Sequence, residues 1–352
     1  MREVAIVGFS QRQMKEFDGS PTCVELLVPL FADLFEQTGW TKSDIGFWCS
    51  GSSDYLAGRS FSFVSAVDAI GALPPVMESH VEMDAAWALY EAWVKIQTGL
   101  VDSALVYGFG KASAGQLRRI LSLQMDPYTV QPLWADAVSV AAIQARSGLE
   151  QGVWDSDQMA SVVARSMSDA ADNEYAIRAG RRTVDDVLAQ PMYADPLRRW
   201  DCAPVSDGAA AMVISAADAP AFDRLRGPAA WITGFEHRIE PGALNSRDLT
   251  TSPSTAAAGA AAGAAGIDLV ELHAPFSHQE LILGSALGLS DDVRVNPSGG
   301  ALTANPMFSA GLNRIGEAAQ QVWAGSSQRA LAHATSGPAL QQNLVLTMEG
   351  RA

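Results

Sequence analysis

Short apolar runs alternate with amphipathic stretches from the start of this chain. Val4 to Gly8 reads Val-Ala-Ile-Val-Gly, continuously hydrophobic and closed by glycine, which predicts a strand buried on both faces. Thr22 to Thr38 sets Leu26, Leu27, Leu30, Phe31 and Leu34 on one side of a helix. Ile45 to Ser50 reads as a second strand. Phe61 to Ile70 reads as a helix ended by Gly71 and the Pro74-Pro75 pair. In Asp84 to Thr98 the positions Ala85, Ala86, Ala88, Leu89, Ala92 and Ile96 are small or apolar, so this helix is expected to be central. Asp84 is its natural N-cap and Gly99 its stop. Ser103 to Gly108 is the next strand, and the β-α-β-α-β alternation argues for an α/β fold.

From about Lys111 to Trp200 the rhythm breaks into polar, helical sequence carrying Arg118, Arg119, Arg178, Arg181, Arg182, Arg198 and Arg199. A solvated surface accounts for most arginines of this kind. Ala209 to Ser215 is again a strand. Ala230 to Gly234 then echoes residues 5–8, and Gly266 to His273 echoes the strand near Phe47. The helix from Gly311 (Leu312, Ile315, Ala318, Ala319, Val322) and the strand Arg329 to His333 echo residues 84–108. Two related halves offset by roughly 225 residues are the expectation. They divide as residues 1–220, with an insertion at about 111–200, and residues 221–352. Ala256 to Ala265 reads as an Ala/Gly-rich connection or weak helix.

Charge narrows the partners. With 352 residues, 48% of them hydrophobic, the chain can bury a large core, and its net charge of -15 disfavours nucleic acid or an anionic membrane. Cys23, Cys49 and Cys202 are too few and too scattered for a disulfide framework or a zinc site, so no metal is expected and buried small side chains are the plain reading. No run of about 18 apolar residues suggests a membrane span. The chain opens directly into a strand, so a reducing, cytoplasmic setting is expected.

Candidate chemistry gathers late in the chain. Asn296 to Gly311 reads Asn-Pro-Ser-Gly-Gly-Ala-Leu-Thr-Ala-Asn-Pro-Met-Phe-Ser-Ala-Gly. Gly299 and Gly300 permit a tight loop or a close approach by a ligand. Upstream, Leu269-Val270-Glu271-Leu272-His273-Ala274-Pro275-Phe276 is a buried strand ending in a histidine and an aromatic. With Asp201-Cys202-Ala203-Pro204-Val205-Ser206-Asp207-Gly208, these stretches resemble the thiolase superfamily, in its sterol-carrier-protein-x and lipid-transfer-protein branch. In that family a strand ending His-Asp-x-Phe or Asn-Glu-x-Phe precedes an Asn-Pro-x-Gly-Gly loop.

The resemblance implies a five-layered α-β-α-β-α fold of two related halves with an inserted helical loop domain that covers coenzyme A. It also implies a nucleophilic cysteine at a buried helix N-terminus, where the helix dipole favours the thiolate. Here that place falls at Glu82-Met83-Asp84, and no cysteine lies between Cys49 and Cys202. The family's Gly-His-Pro is Ala304-Asn305-Pro306, and the region of its second cysteine reads His333-Ala334-Thr335-Ser336-Gly337-Pro338. A cysteine-dependent acyl transfer is therefore disfavoured. Some members of the branch lack the cysteines and cleave carbon–carbon bonds by retro-aldol chemistry on β-hydroxyacyl-CoA side chains of steroids. By resemblance, His273 is a catalytic base or donor and Asn305 an oxyanion donor, with Phe276, Gly299, Gly300 and Gly337 beside the substrate. A satisfied core histidine is the other reading of His273, and a simple cap that of Asp84. The implied ligand is an acyl-CoA, with coenzyme A as part of the substrate and no covalently bound cofactor. The implied partners are a second copy or a homologous chain, and a small OB-fold partner of DUF35 type. A non-catalytic subunit of such a hetero-oligomer and a conventional acyltransferase are the alternatives.

Overall fold

The computed structural model describes residues 1–14, 21–57 and 60–351. The first set of strands is β1 (Val4–Met14), β2 (Phe47–Gly51), β3 (Glu78–Val81), β4 (Ser103–Gly110) and, beyond an insertion carrying the hairpin β5 (Met192–Ala194) and β6 (Leu197–Arg198), β7 (Asp207–Ala216). The second set is β8 (Ala230–Ile239), β9 (Leu269–Leu272), β10 (Arg294–Val295), β11 (Arg329–Ser336) and β12 (Gln342–Glu349). The main sheet runs β10-β9-β11-β12-β8-β1-β7-β4-β2-β3. That order is a palindrome: each set has the same connectivity, and the sets meet where Ala5 lies opposite Trp231 and Ile6 opposite Ala230.

The helices are α1 (Cys23–Thr38), α2 (Asp54–Ala57), α3 (Ser62–Ile70), α4 (Ala85–Gln97), α5 (Leu117–Leu123), α6 (Ala137–Glu150), α7 (Ser156–Asp169), α8 (Val184–Leu188), α9 (Pro253–Ala261), α10 (Ser277–Leu287) and α11 (Ala310–Trp323). The strand period of two sorts them into layers. Val4 and Ile6 face a central core with Leu89, Ala92, Leu312 and Ile315 of α4 and α11. Ala5 and Val7 face the opposite way, onto Leu27, Leu30 and Leu34 of α1. Val270, Leu272 and Val345 pack outward against Ala258, Ile282 and Leu283 of α9 and α10. Five layers result, with α4 and α11 in the middle, as the resemblance implied.

Several expectations need correction. The first strand does not close at Gly8. A bulge between Ile6 and Gly8 lets it continue to Met14 alongside β7, and buried Gln11 donates from Nε2 to Glu317 Oε1 at 2.6 Å. The polar run there hid the extension. The Ala/Gly-rich stretch is a helix, set earlier than expected because Pro253 occupies its first turn. β3, α10 and β12 were not anticipated: β3 is half-buried and polar, while α10 buries His278, Gln279 and Glu280.

Candidate functional site

The N-termini of α4 and α11 point at one carboxylate. Asp84 caps α4 by accepting from Ala86 N at 2.9 Å, and it also accepts from Gly311 N at 3.0 Å and Leu312 N at 3.2 Å at the start of α11. Glycine is required at 311, because a Cβ there would fall 2.7 Å from both Ala334 Cβ and Asp84 Oδ1. Burial pushes the Asp84 carboxyl above the ordinary range, against the pull of these three N–H groups. The next amide, Ala85 N, donates to Phe308 O at 2.9 Å. The positive ends of both central helices are thus already engaged by groups of the protein itself.

A cavity of about 320 Å³ opens beside this junction. His273, Asn305, Phe276 and Gly337 line it, as do Glu82, Asp84, Cys202 and Ser206. Arg118 and Tyr193 come to it from the insertion. His273 is 7% exposed at the end of β9, so its surroundings decide its tautomer. Thr335 N donates to its Nδ1 at 3.3 Å. A backbone amide cannot turn round, so Nδ1 holds a lone pair and the proton sits on Nε2, which donates to Asn305 Oδ1 at 2.9 Å. Burial depresses the imidazole to about 4, opposed by the Asn305 hydrogen bond, and it is neutral at physiological pH. With Oδ1 facing His273, the Nδ2 donor of Asn305 remains for a ligand. Ser206 Oγ accepts from Asn305 N at 2.9 Å and fixes its backbone.

Gly299 and Gly300 are not among the residues lining the cavity. They turn the chain sharply, with φ of +93° and +63°, inside a fastening behind the site. A Cβ on Gly299 would lie 2.5 Å from Ala170 Cβ, so the glycine serves packing. In the same loop Asn296 Oδ1 accepts from Leu272 N at 2.5 Å, and its Nδ2 donates to Glu280 Oε2 at 2.7 Å. Ser298 donates to buried Glu271 through N at 2.9 Å and Oγ at 2.7 Å, and Arg314 of α11 pairs with the same carboxylate at 2.7 Å. The loop locks β9 to α11, and so sets where His273 and Asn305 stand.

Cys202 is the cysteine that lines the cavity. Burial, with the Asp201 charge adding to it, pushes its thiol up to about 12, which is the opposite of an activated nucleophile. Cys49 is also pushed up to about 12 by burial, and neither it nor Cys23 lines the cavity. His278 is buried outside the cavity, with Nε2 3.1 Å from Gln144 Oε1. Among the arginines of the insertion, Arg118 lines the cavity. It is ion-paired with Asp136 and lies 5.3 Å over the Tyr193 ring. Tyr193 stands on the short strand β5 of the insertion, which no periodic pattern marked, and Glu82 was met only as part of the Glu82-Met83-Asp84 stretch at the place of the family's nucleophile, not as a cavity carboxylate. No group of acidic, histidine and cysteine side chains suited to a metal occurs among the described residues. Nor is any helix among them long and apolar enough to cross a membrane.

This architecture is the thiolase fold. Human mitochondrial 3-ketoacyl-CoA thiolase in complex with CoA superposes with a TM-score of 0.78 at 14% identity, covering 100% of this chain and 98% of that one. The Ltp2-ChsH2(DUF35) aldolase superposes with a TM-score of 0.80 at 18% identity, covering 98% of each chain. In sequence the chain is 25% identical over 360 residues to the acetyl-CoA acetyltransferase of Methanothermobacter thermautotrophicus, covering 92% of this chain and 91% of the relative. Sterol carrier protein 2 of Gallus gallus is 24% identical over 301 residues, which span 74% of this chain and 54% of that protein. No protein-family profile matches the chain.

Proposed function

We propose that this thiolase-like chain acts on acyl-CoA thioesters as a carbon–carbon lyase, by retro-aldol cleavage of a β-hydroxyacyl-CoA with no cysteine nucleophile. The observation that carries the reading is the pair His273–Asn305: a neutral histidine engages the amide oxygen of a residue that lines the cavity, which leaves the Nδ2 donor for a ligand. A preorganised donor of this kind stabilises the enolate oxygen that develops on a thioester when the neighbouring bond breaks. The place where a thiolate would need helix dipoles is taken by Asp84, and Cys202 is held as a thiol. Both features count against acyl transfer through a covalent thioester. The acetyltransferase and thiolase relatives support acyl-CoA as the ligand class, and the Ltp2-ChsH2(DUF35) aldolase supports the lyase over the transferase.

A branched or steroid-type acyl side chain is the substrate class proposed. Its site is the cavity between Phe276 and Leu340, with Arg118 on its wall as the cation available to a coenzyme A phosphate. A second copy paired along the sheet edge at β3, and a small OB-fold partner of DUF35 type, are the proposed assembly. β3 is bonded to β2 on one side only, and the aldolase named above carries a DUF35 chain.

The test is purification with and without co-expressed neighbouring proteins, then assay with a β-hydroxyacyl-CoA bearing a branched side chain. Release of a carbonyl fragment and a shorter acyl-CoA is the expected result. A stable complex that binds coenzyme A with no turnover would overturn the lyase reading and favour a non-catalytic subunit.

A further inference from the structure

We propose that Glu82 is the general base of the lyase reaction, an inference that rests on the function proposed above. Retro-aldol cleavage needs a group that removes the β-hydroxyl proton. His273 cannot be that group while its Nδ1 lone pair is held by Thr335 N–H and its Nε2 proton by Asn305. Asp84 spends its oxygens on three backbone amides. Tyr193 lies beneath the Arg118 guanidinium. Glu82 is the carboxylate on the cavity wall whose oxygens are not spent on helix caps.

Glu82 sits between the edge strand β3 and the central helix α4, and its side chain is 62% exposed. Behind it His80 Nε2 stands 3.9 Å from Oε2. The His80 ring is itself fixed: Nδ1 lies 2.9 Å from Ser50 Oγ, and Phe63 stacks on it with centroids 5.1 Å apart. Glu82 thus lines the cavity, while His80, 3.9 Å from its carboxylate, does not.

The step balances without a co-reactant. The Glu82 carboxylate takes the β-hydroxyl proton. The O–H electron pair becomes the new carbonyl π bond, and the bond between Cα and Cβ breaks. Its electrons form the enolate of the thioester, whose oxygen receives the Asn305 Nδ2–H. Glu82 then returns the proton to Cα, directly or relayed through a water, giving the shorter acyl-CoA and restoring the carboxylate.

The experiment compares wild type, Glu82→Gln, Glu82→Asp and Tyr193→Phe as the purified complex, measuring turnover of a branched β-hydroxyacyl-CoA and, separately, binding of a non-cleavable acyl-CoA. Glu82→Gln is expected to lower kcat by about 10²–10⁴-fold with binding unchanged. Glu82→Asp should restore part of the rate, and Tyr193→Phe, on the same cavity wall, should lower kcat by at least about tenfold less than Glu82→Gln does. If Glu82→Gln keeps its rate, loses binding and rate together, or is matched in kcat loss by Tyr193→Phe, the assignment is overturned. An inactive wild type instead overturns the lyase reading itself, and the base assignment falls with it.

Discussion

Replacing Asp84 tests whether one carboxylate sustains two helix starts. Asp84→Ala leaves three amides, Ala86 N, Gly311 N and Leu312 N, without their acceptor. A buried donor left unpaired costs about 1–3 kcal/mol. The low end applies here, for two reasons. Removing the side chain also removes a buried charge, whose cost shows in its raised pKa. The cavity beside it can also admit water to the freed amides. About 3 kcal/mol is the expected loss, roughly 1 kcal/mol per amide. Asp84→Asn keeps Oδ1 for Ala86 and Leu312 and puts an NH₂ group where Gly311 N needs an acceptor, so about 1 kcal/mol is expected. Urea denaturation followed by tryptophan fluorescence measures both. Asp84→Ala within about 0.5 kcal/mol of wild type, or no more destabilised than Asp84→Asn, would refute the double-cap reasoning. Asp84→Cys supplies an independent reading. A thiol where two helix N-termini converge should be strongly acidified, and it should alkylate at neutral pH far faster than the three native cysteines. A sluggish thiol there would show that the two dipoles do not add at this point.

His273, His278 and His333 are all buried and depressed, to about 4, about 3 and about 3. They stay neutral in the folded chain while the unfolded chain protonates them near pH 6.5. Stability should therefore be full above pH 6.5 and fall as pH drops toward 4, each histidine adding a slope of up to about 1.4 kcal/mol per pH unit. Thermal melts across that range check the slope, and His278→Gln should flatten it. Arg314→Met strands the buried Glu271 charge and should cost about 3–5 kcal/mol, whereas Glu271→Leu combined with Arg314→Met should cost less than Arg314→Met alone. A double variant no better than the single would show that the pair is not the unit of stability. Under the lyase reading, iodoacetamide at neutral pH should leave turnover within about twofold, because Cys49 and Cys202 are held as thiols. Rapid inactivation would instead return the acyltransferase to contention.

Elements with one apolar face were legible in the sequence. α4 and α11 show why: Leu89, Ala92, Leu312 and Ile315 recur at helical spacing and share one core. β12 was not legible, because its buried Asn343 and Thr347 interrupt the apolar pattern. They are satisfied by distant groups, Asn343 Nδ2 donating to Ser254 Oγ at 2.7 Å and Thr347 Oγ1 to Ala262 O at 2.7 Å. The cap role of Asp84 on α4 was readable from its place before a small-residue helix. Its second helix was not, since Gly311 lies 227 residues away and nothing local marks the pairing. The same limit applied at the site. His273, Asn305, Phe276 and Gly337 line the cavity. Gly299 and Gly300, with the most conspicuous loop sequence, instead serve the clasp behind it. Glu82, between β3 and α4, and Tyr193, on β5, reach the cavity through packing between distant parts of the chain.

The strand order also dictates how the chain can assemble during synthesis. The first set of strands, β3-β2-β4-β7-β1, is complete once residue 216 has emerged, and its β1 edge can then wait for β8. The second set repeats that order, β12 standing where β7 stands in the first, and closes later. β12, the last of its strands to be made, is the one inserted between β11 and β8. Until residues 342–349 arrive, both neighbours hold open backbone edges, the kind that pair with other chains. The half that carries His273 and Asn305 is therefore the late-closing one, and premature termination anywhere after β8 leaves an adhesive fragment beside a finished N-terminal half.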